Sequence, residues 1–308
     1  MKVWILKAVI QKAISFLPCE HRINFLFQKY VTKGVNLTND LFEDKLIHCS
    51  NHLKYFRKYA PGKRDFTSLE IGTGWYPIVP IGFYLSGAST IYTIDISDLL
   101  SIERIKNTIE RYEEWSKSGK LKTYLPEIDP ARFERLVSLK GQLGSFGSAR
   151  EALKEIHIHA IVGDARKIDL PAQSIDLLNS NNTFEHIYPG ILSGILREFR
   201  RLLSADGIMS HQIDMSDHFA HLDKSITIYN FLRFSDSEWK IIDNGIQPQN
   251  RLRFSDYIKL LQDAGFQILE NVSREGSLQA LEAVPVSQKY KSYKPTDLAI
   301  SHTLLISK

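Results

Sequence analysis

The residues best suited to chemistry lie around two glycines, in the segment Leu69–Pro77 (LEIGTGWYP). Gly72 and Gly74 permit a sharp turn from a strand into a helix and let a ligand approach the backbone closely. Glu70 places a carboxylate at the end of the preceding apolar run, and Asp95 ends the next run. A carboxylate in that second position can accept hydrogen bonds from both hydroxyls of a ribose. The pattern favours a nucleotide-type ligand over a plain turn with a helix-capping aspartate.

Histidines that follow the later apolar runs are candidates for a general base, because imidazole titrates near neutral pH. His186 follows the fourth run, and His218 follows the fifth on a loop that also contains Asp217. Either Asp214 or Asp217 would orient the His218 ring. His211, inside the fifth run, is expected to be structural. The alternative for His186 is capping or packing, and for His218 a polar loop without catalytic meaning.

Strands alternating with helices must position these side chains. Apolar residues that recur every three or four positions predict helices at 38–59, 192–203 and 255–265. The alternation over residues 66–215 predicts right-handed crossovers and a parallel sheet that is covered on both faces. Short apolar runs bounded by turn residues predict the strands at 66–74, 90–97, 156–164, 174–182, 204–215, 266–272 and 300–308.

At these residues the chain resembles the class I S-adenosylmethionine-dependent methyltransferases, in particular their type 11-like small-molecule members. The first motif of that family, acid-x-Gly-x-Gly, is matched by Glu70-Ile71-Gly72-Thr73-Gly74, and its second-strand acid by Asp95. The acid after the third strand is matched by Asp164 in VGDA, and the fourth-strand segment by SNNTFEHI at 180–187. A polar turn with glycine at 204–207 matches the start of the fifth strand. The resemblance covers about residues 66–215, with a weaker match of the last two strands.

The resemblance implies that the cofactor is S-adenosylmethionine. Glu70 and the glycine turn would face its methionine part, Asp95 would hold the ribose and Asp164 the adenine amino group. Asn181 would lie near the sulfonium. Trp75 and Tyr76 stand where the family usually has a third glycine, which puts the turn geometry at the methionine end in doubt. The cofactor-binding set implied in this way is Glu70, Gly72, Gly74, Trp75, Asp95, Ile96, Asp164, Ala165 and Asn181.

The predicted fold is α/β: a Rossmann-like, doubly wound, mostly parallel seven-stranded sheet with an antiparallel last strand. We expect a helical N-terminal cap over residues 1–60 and a methyltransferase domain over 61–308. Two stretches, the helical insertion 97–156 and the lid loop 216–250, exceed what the sheet needs and are expected to cover the site. Aromatic residues near these stretches would form the core of the lid more often than they contact a ligand: Trp75, Tyr76, Phe219, Tyr229, Phe231, Phe234 and Trp239.

Composition excludes several partners. The 308 residues carry 39 Lys and Arg against 35 Asp and Glu, and this net charge of +4 is too weak and scattered for a nucleic-acid substrate. The fourth-strand segment also lacks the prolines of enzymes that methylate base amino groups. Two cysteines, Cys19 and Cys49, predict a reduced, cytoplasmic chain. A metal site like that of catechol methyltransferases needs clustered acids around the fourth and fifth strands. Because only Asp176 and Asp214 are available there, no metal requirement is expected.

The N-terminal residues 1–17 are largely apolar but are interrupted by Lys7, Gln11 and Lys12, which argues against a transmembrane span. Packing of this helix on the body or on a second subunit is one interpretation. Peripheral contact with a membrane surface is the alternative. No oligomeric state is predicted.

The expected activity is methyl transfer to oxygen or nitrogen of a small molecule, such as a sugar, natural product or lipid-like acceptor. His218, His186 and Asp217 are the candidate catalytic residues. Two alternative functions fit a similar sheet less well. A nicotinamide-dependent oxidoreductase on a similar sheet is disfavoured by Glu70 and by the missing third glycine. A non-catalytic scaffold is disfavoured because Asp95 and both glycines are present.

Overall fold

The computed structural model describes residues 3–16, 36–245 and 247–308, so Cys19 lies outside the described residues. The strands form a seven-stranded sheet in the order β3-β2-β1-β4-β5-β7-β6. The predicted Rossmann-like α/β sheet, mostly parallel with antiparallel last strands, is confirmed. The strands are β1 (Thr67–Ile71), β2 (Thr90–Asp95), β3 (Ile158–Val162), β4 (Ile175–Asn181), β5 (Leu203–Asp214), β6 (Ile268–Arg274) and β7 (His302–Ser307).

The central strand β1 pairs in parallel with both β2 and β4. Ile71 near its end is in register with Ile94 of β2 and with Ser180 of β4. Asp95 at the end of β2 is in register with Val162 at the end of β3. Because parallel strands all end at one edge of a sheet, the predicted cofactor acids gather at that edge.

Several helices begin at a residue whose side chain caps the first turn. Thr38 accepts a hydrogen bond from the backbone of the first helical turn after it, and Asp129 and Ser148 do the same for two later helices. The helices are α1 (Val3–Ile14), α2 (Asn39–Tyr59), α3 (Ile78–Leu85), α4 (Ile102–Lys117), α5 (Leu121–Tyr124), α6 (Pro130–Gln142), α7 (Ala149–Lys154), α8 (Pro189–Leu202), α9 (Phe219–Leu222), α10 (Asp236–Ile242), α11 (Phe254–Asp263), α12 (Leu278–Glu282) and α13 (Pro295–Ala299).

Tertiary contacts divide the chain into two compact units. Unit 1 contains the described residues up to Asn36 together with Asn182–Ser193 and Ile213–Leu305. Unit 2 contains Leu37–Asn181, Gly194–Gln212 and Ile306–Lys308. Helix α2, which the sequence assigned to an N-terminal cap, is therefore part of unit 2, and the domain boundary at residue 60 stays a prediction.

Unit 2 buries the apolar face of α2 against the helical insertion. The Phe42 ring lies edge-on to Tyr112 and Trp115 of α4, with ring centroids 5.0 and 5.1 Å apart. Cys49 is buried and packs so closely on α3 that a Cβ on Gly82 would lie 2.5 Å from its Sγ. The first helix of the insertion is thus part of the core of this unit.

Unit 1 has an aromatic core that includes α1. Trp4 packs on Phe219 and Phe234, with both ring centroids 5.9 Å away, and its backbone N–H donates to Asp223. The lid aromatics Tyr229, Phe231 and Trp239 are buried in the same cluster, as the core interpretation expected. The helix α1 therefore packs on the body of the protein, and membrane contact stays a prediction. None of the helices in the described ranges has the length and apolarity to span a bilayer.

Gly276 occupies a position in unit 1 where no side chain fits. A Cβ there would lie 1.9 Å from Tyr229 Oη and 2.0 Å from the Ala299 carbonyl oxygen, two atoms joined by a 2.8 Å hydrogen bond. We expect Gly276→Ala to lower the free energy of unfolding by about 1–3 kcal/mol, because the pair must separate. Urea denaturation measures this change. Gly190→Ala, whose Cβ would meet nothing within 4 Å, is the control, and equal stability of the two variants would refute the prediction.

Candidate functional site

The glycine turn after β1 has the backbone geometry that its sequence predicts. Gly72 and Gly74 have φ angles of +77° and +71°, a conformation that side chains disfavour. The N–H of Gly72 donates to the Ile94 carbonyl of β2 over 2.8 Å. A Cβ on Gly74 would enter open space, so the turn leaves room beside its backbone. The turn leads into α3, which begins at Ile78 with Pro77 as its N-cap.

Asp95 ties this turn to the end of β2. Its Oδ2 accepts a hydrogen bond from the Gly74 N–H at 3.2 Å, and its Oδ1 accepts one from the Ser97 N–H at 3.1 Å. The same residues line a small pocket in unit 2, which Leu99 and Leu100 close on another side. A carboxylate therefore stands beside an open backbone turn and an apolar wall, which suits a ribose next to a flat base.

The remaining predicted cofactor residues lie at the ends of β1, β2 and β3. Asp164 forms a bidentate ion pair with Arg166, whose hydrogen bonds lower the pKa of that carboxyl. Ala165 beside it is buried, whereas Ile96 is 73% exposed. The Trp75 ring lies under the Arg104 guanidinium, 4.5 Å from its centroid. The cofactor contacts of these residues stay predictions.

A buried chain of hydrogen bonds supports Glu70 from beneath. Asn181 Nδ2 donates to Glu70 Oε1 over 2.8 Å, and Asn181 Oδ1 lies 3.0 Å from His52 Nε2. His52 Nδ1 lies 2.6 Å from Ser210 Oγ. Because the amide of Asn181 is used toward Glu70, His52 must donate from Nε2 and accept from the Ser210 hydroxyl. The sequence predicted Glu70 and Asn181 as site residues but did not predict His52 and Ser210. The only sign of these two was that each is a polar residue within an otherwise apolar face, His52 in α2 and Ser210 in β5.

The electrostatics of this chain make Glu70 responsive near neutral pH. Burial raises the pKa of Glu70 to about 7, against the opposing hydrogen bond of Asn181 and the charge of Lys45. Burial lowers the pKa of His52 to about 3, so this imidazole is neutral and serves as a fixed donor and acceptor. A carboxylate with a pKa near 7 gains charge when a cationic group binds beside it.

Unit 1 brings the two candidate histidines together. His186 lies in the short 3₁₀ turn Phe184–His186, and its ring centroid is 4.9 Å from that of His218. His218 Nε2 lies 3.3 Å from Asp214 Oδ2, and its ring stacks on His221. Burial lowers the pKa of His186 to about 4, and the neighbouring His218 acts in the same direction.

The two aspartates considered as partners of His218 have different roles. Burial alone would raise the pKa of Asp214, but hydrogen bonding and charge from His218 and His302 hold it well below its usual range. Asp217 is fully buried and accepts hydrogen bonds from the Phe219 N–H and the Asn230 amide, and burial raises its pKa to about 6. Asp214 thus faces the imidazole, while Asp217 fixes the loop.

His211 is fully buried in unit 2. Its Nδ1 lies 2.9 Å from Ser180 Oγ, and its ring stacks on Phe199 with an interplanar angle of 5°. Burial lowers the pKa of His211 to about 3. These contacts agree with the structural role that was expected for it.

Comparison with protein-family models gives a match to one segment of the chain. A family model described as "Methyltransferase domain" matches residues 123–210, which include β3, β4 and most of β5. No curated protein sequence matches the chain.

Solved structures give more distant similarities. Geranyl diphosphate C-methyltransferase from Streptomyces coelicolor A3(2) is 10% identical, with a TM-score of 0.47 over 84% of this chain and 80% of that chain. The PH0226 protein from Pyrococcus horikoshii OT3 is 15% identical, with a TM-score of 0.44 over 83% and 86%.

The matched segment, the sheet order and the motif residues agree with one another. The chain therefore has a segment, residues 123–210, that matches a methyltransferase-domain model, within a Rossmann-like α/β sheet.

Proposed function

We propose that this protein transfers a methyl group from S-adenosylmethionine to an oxygen or nitrogen of a small-molecule acceptor. The observation that carries the proposal is the open glycine turn of unit 2, which Asp95 holds through the Gly74 N–H while Glu70 lies one residue before the end of the adjoining strand. The carboxylates of Glu70 and Asp95 therefore lie at one edge of the sheet, beside a glycine turn whose backbone no side chain covers.

The donor set suits the cofactor. Asp95 would hold the ribose hydroxyls, and Glu70 would face the cationic methionine end. Because the pKa of Glu70 is raised to about 7, binding of that cation would favour its ionised form. Leu99 and Leu100 in the same pocket offer an apolar wall for the adenine, with Asp164 as the predicted partner of its amino group. When bound, the cofactor supplies a methyl group on a sulfonium with a good leaving group.

On the acceptor side, the protein must align the nucleophile and remove a proton where the acceptor is a hydroxyl. We assign proton acceptance to His218, because Asp214 stands beside its Nε2 and stabilises an imidazolium. His186 packs against this ring, and Asp217 positions the loop that carries it. A small pocket of unit 1 is lined by His218 together with Lys7, Gln11, Trp239 and Gln249, whose polar groups offer hydrogen-bond partners to an acceptor hydroxyl.

The proposal is tested first by calorimetry with S-adenosylhomocysteine and NAD. Saturable binding of S-adenosylhomocysteine alone is expected, and binding of NAD alone would support the oxidoreductase instead. A screen with radiolabelled methyl donor across sugars, phenols, amines and lipids then identifies the acceptor class. Cofactor binding without transfer to any acceptor class would favour the non-catalytic scaffold.

Cofactor affinity should depend on pH through Glu70. The pKa of Glu70 is about 7. At lower pH the carboxyl group of the free protein is protonated, and at higher pH the carboxylate is available to the ammonium group of the ligand. Affinity for S-adenosylhomocysteine is therefore expected to rise about tenfold between about pH 6 and pH 8. Calorimetry across this range measures it. Glu70→Gln should bind more weakly and with a flat profile, and a flat profile in the unmodified protein would contradict the assignment.

A further inference from the structure

Three side chains of unit 1 form a cluster with the chemistry of a transition-metal site. One ligand atom from each of Glu185, His186 and His218 lies within 4.8 Å of the other two. Glu185 and His186 adjoin in the 3₁₀ turn, while His218 comes from the loop after β5. Two imidazoles and one carboxylate form a donor set that binds Zn²⁺ and similar ions while leaving a coordination position open.

Each imidazole has an oxygen acceptor placed against it. His186 Nδ1 lies 2.7 Å from the Pro248 carbonyl oxygen, which can only accept, so His186 donates from Nδ1 and keeps a lone pair on Nε2. Asp214 Oδ2 stands 3.3 Å from His218 Nε2. Metal-binding histidines almost always have such a carbonyl or carboxylate behind them, because it fixes the tautomer and the ring orientation.

The turn that carries two of the three groups is held by Asn250. Its side-chain amide donates to the carbonyls of Phe184 and Ile187, at 2.7 and 2.9 Å, and its backbone N–H donates to the Glu185 carbonyl. The Asn250 Oδ1 in turn accepts from the hydroxyl of buried Tyr257. The backbone that positions Glu185 and His186 is therefore fixed from both ends before any ligand binds.

The three ligand groups are shielded from solvent. The Glu185 side chain is only 3% exposed and lies beside the two imidazoles. A cation about 2.1 Å from each ligand atom would draw these atoms to about 3.0–3.5 Å from one another, which rotation of side-chain torsions can achieve.

We propose that Glu185, His186 and His218 form a binding site for one divalent transition-metal ion of the Zn²⁺ class, with Asp214 and Pro248 orienting the two imidazoles. The mixed imidazole–carboxylate set selects against Mg²⁺ and Ca²⁺, which prefer all-oxygen ligands. The site is a property of unit 1 and does not depend on the methyl-transfer proposal. In the metal-bound protein, His218 is a ligand rather than a base.

Calorimetric titration of the chelator-treated, full-length protein with ZnCl₂ tests the site. We expect one equivalent to bind, and Co²⁺ to give the visible absorption of an ion with nitrogen ligands. His218→Ala should lower Zn²⁺ affinity at least about 100-fold. His221→Ala, which removes the neighbouring ring outside the cluster, should stay within about threefold, and MgCl₂ should give no saturable heat.

Two results would overturn the site: failure of the unmodified protein to bind Zn²⁺ or Co²⁺, and retention of full affinity in His218→Ala. The Co²⁺ spectrum of the unmodified protein does not depend on whether variants at buried Glu185 and His186 fold. Thermal melting gives a further check, since Zn²⁺ should raise the Tm of the unmodified protein and of His221→Ala but not that of His218→Ala.

Discussion

Replacing Asp95 by alanine is expected to weaken binding of S-adenosylhomocysteine at least 100-fold. The substitution removes two charge-assisted hydrogen bonds to the ribose, each worth about 1.5–3 kcal/mol, and a factor of ten corresponds to about 1.4 kcal/mol. It also releases the Gly74 and Ser97 N–H groups that the carboxylate holds in the free protein. Calorimetry with the purified variant measures the loss.

Two control variants separate binding from folding in this experiment. Asp95→Asn retains one acceptor oxygen and should show an intermediate loss of affinity. Asp129→Ala removes a helix-capping carboxylate elsewhere in unit 2, so it should cost about 1 kcal/mol of stability but leave affinity unchanged. Affinity of Asp95→Ala within about threefold of the unmodified protein would remove Asp95 from the ribose site.

His218→Ala is expected to lower turnover on the identified acceptor by at least 100-fold while changing the affinity for S-adenosylhomocysteine by less than twofold. Proton transfer to a positioned base contributes about 10²–10⁴ to rate, and the variant removes one of the two imidazoles that face Asp214. Steady-state kinetics with labelled methyl donor and calorimetry on the same preparation measure the two quantities.

The control for this prediction is His221→Ala, because His221 stacks on His218 in the same loop but does not face Asp214 as closely. Its turnover should change by less than threefold. Unchanged turnover in His218→Ala would exclude the residue from the reaction, and an equal loss of cofactor affinity would indicate a structural effect instead.

The strand pattern and the helix caps could be predicted because they depend on local sequence. Apolar runs ending at Gly72 and Asp95 specify buried strands, and Asp129 and Ser148 begin helices through their own side chains. Glu70 was found for the same reason, as a charged residue where an apolar strand end was expected.

The partners of these residues could not be predicted because they come from distant parts of the chain. His52 reaches Asn181 only after α2 packs on the sheet, and no periodicity reveals which polar residue in an apolar helix face will find an acceptor. The choice between Asp214 and Asp217 for His218 depends on loop geometry. The neighbours Glu185 and His186 became a candidate metal site only when the fold brought His218 beside them.

The chain of hydrogen bonds beneath Glu70 has a direction. The Ser210 hydroxyl donates to His52, His52 to Asn181 and Asn181 to Glu70, so every bond dipole points its positive end toward the carboxylate. Such aligned bonds polarise one another, and the negative charge on Glu70 strengthens all of them. A cationic ligand that ionises Glu70 would therefore also tighten the attachment of α2 to β4 and β5. Cofactor binding and the packing of unit 2 would then stabilise each other through this buried chain of hydrogen bonds.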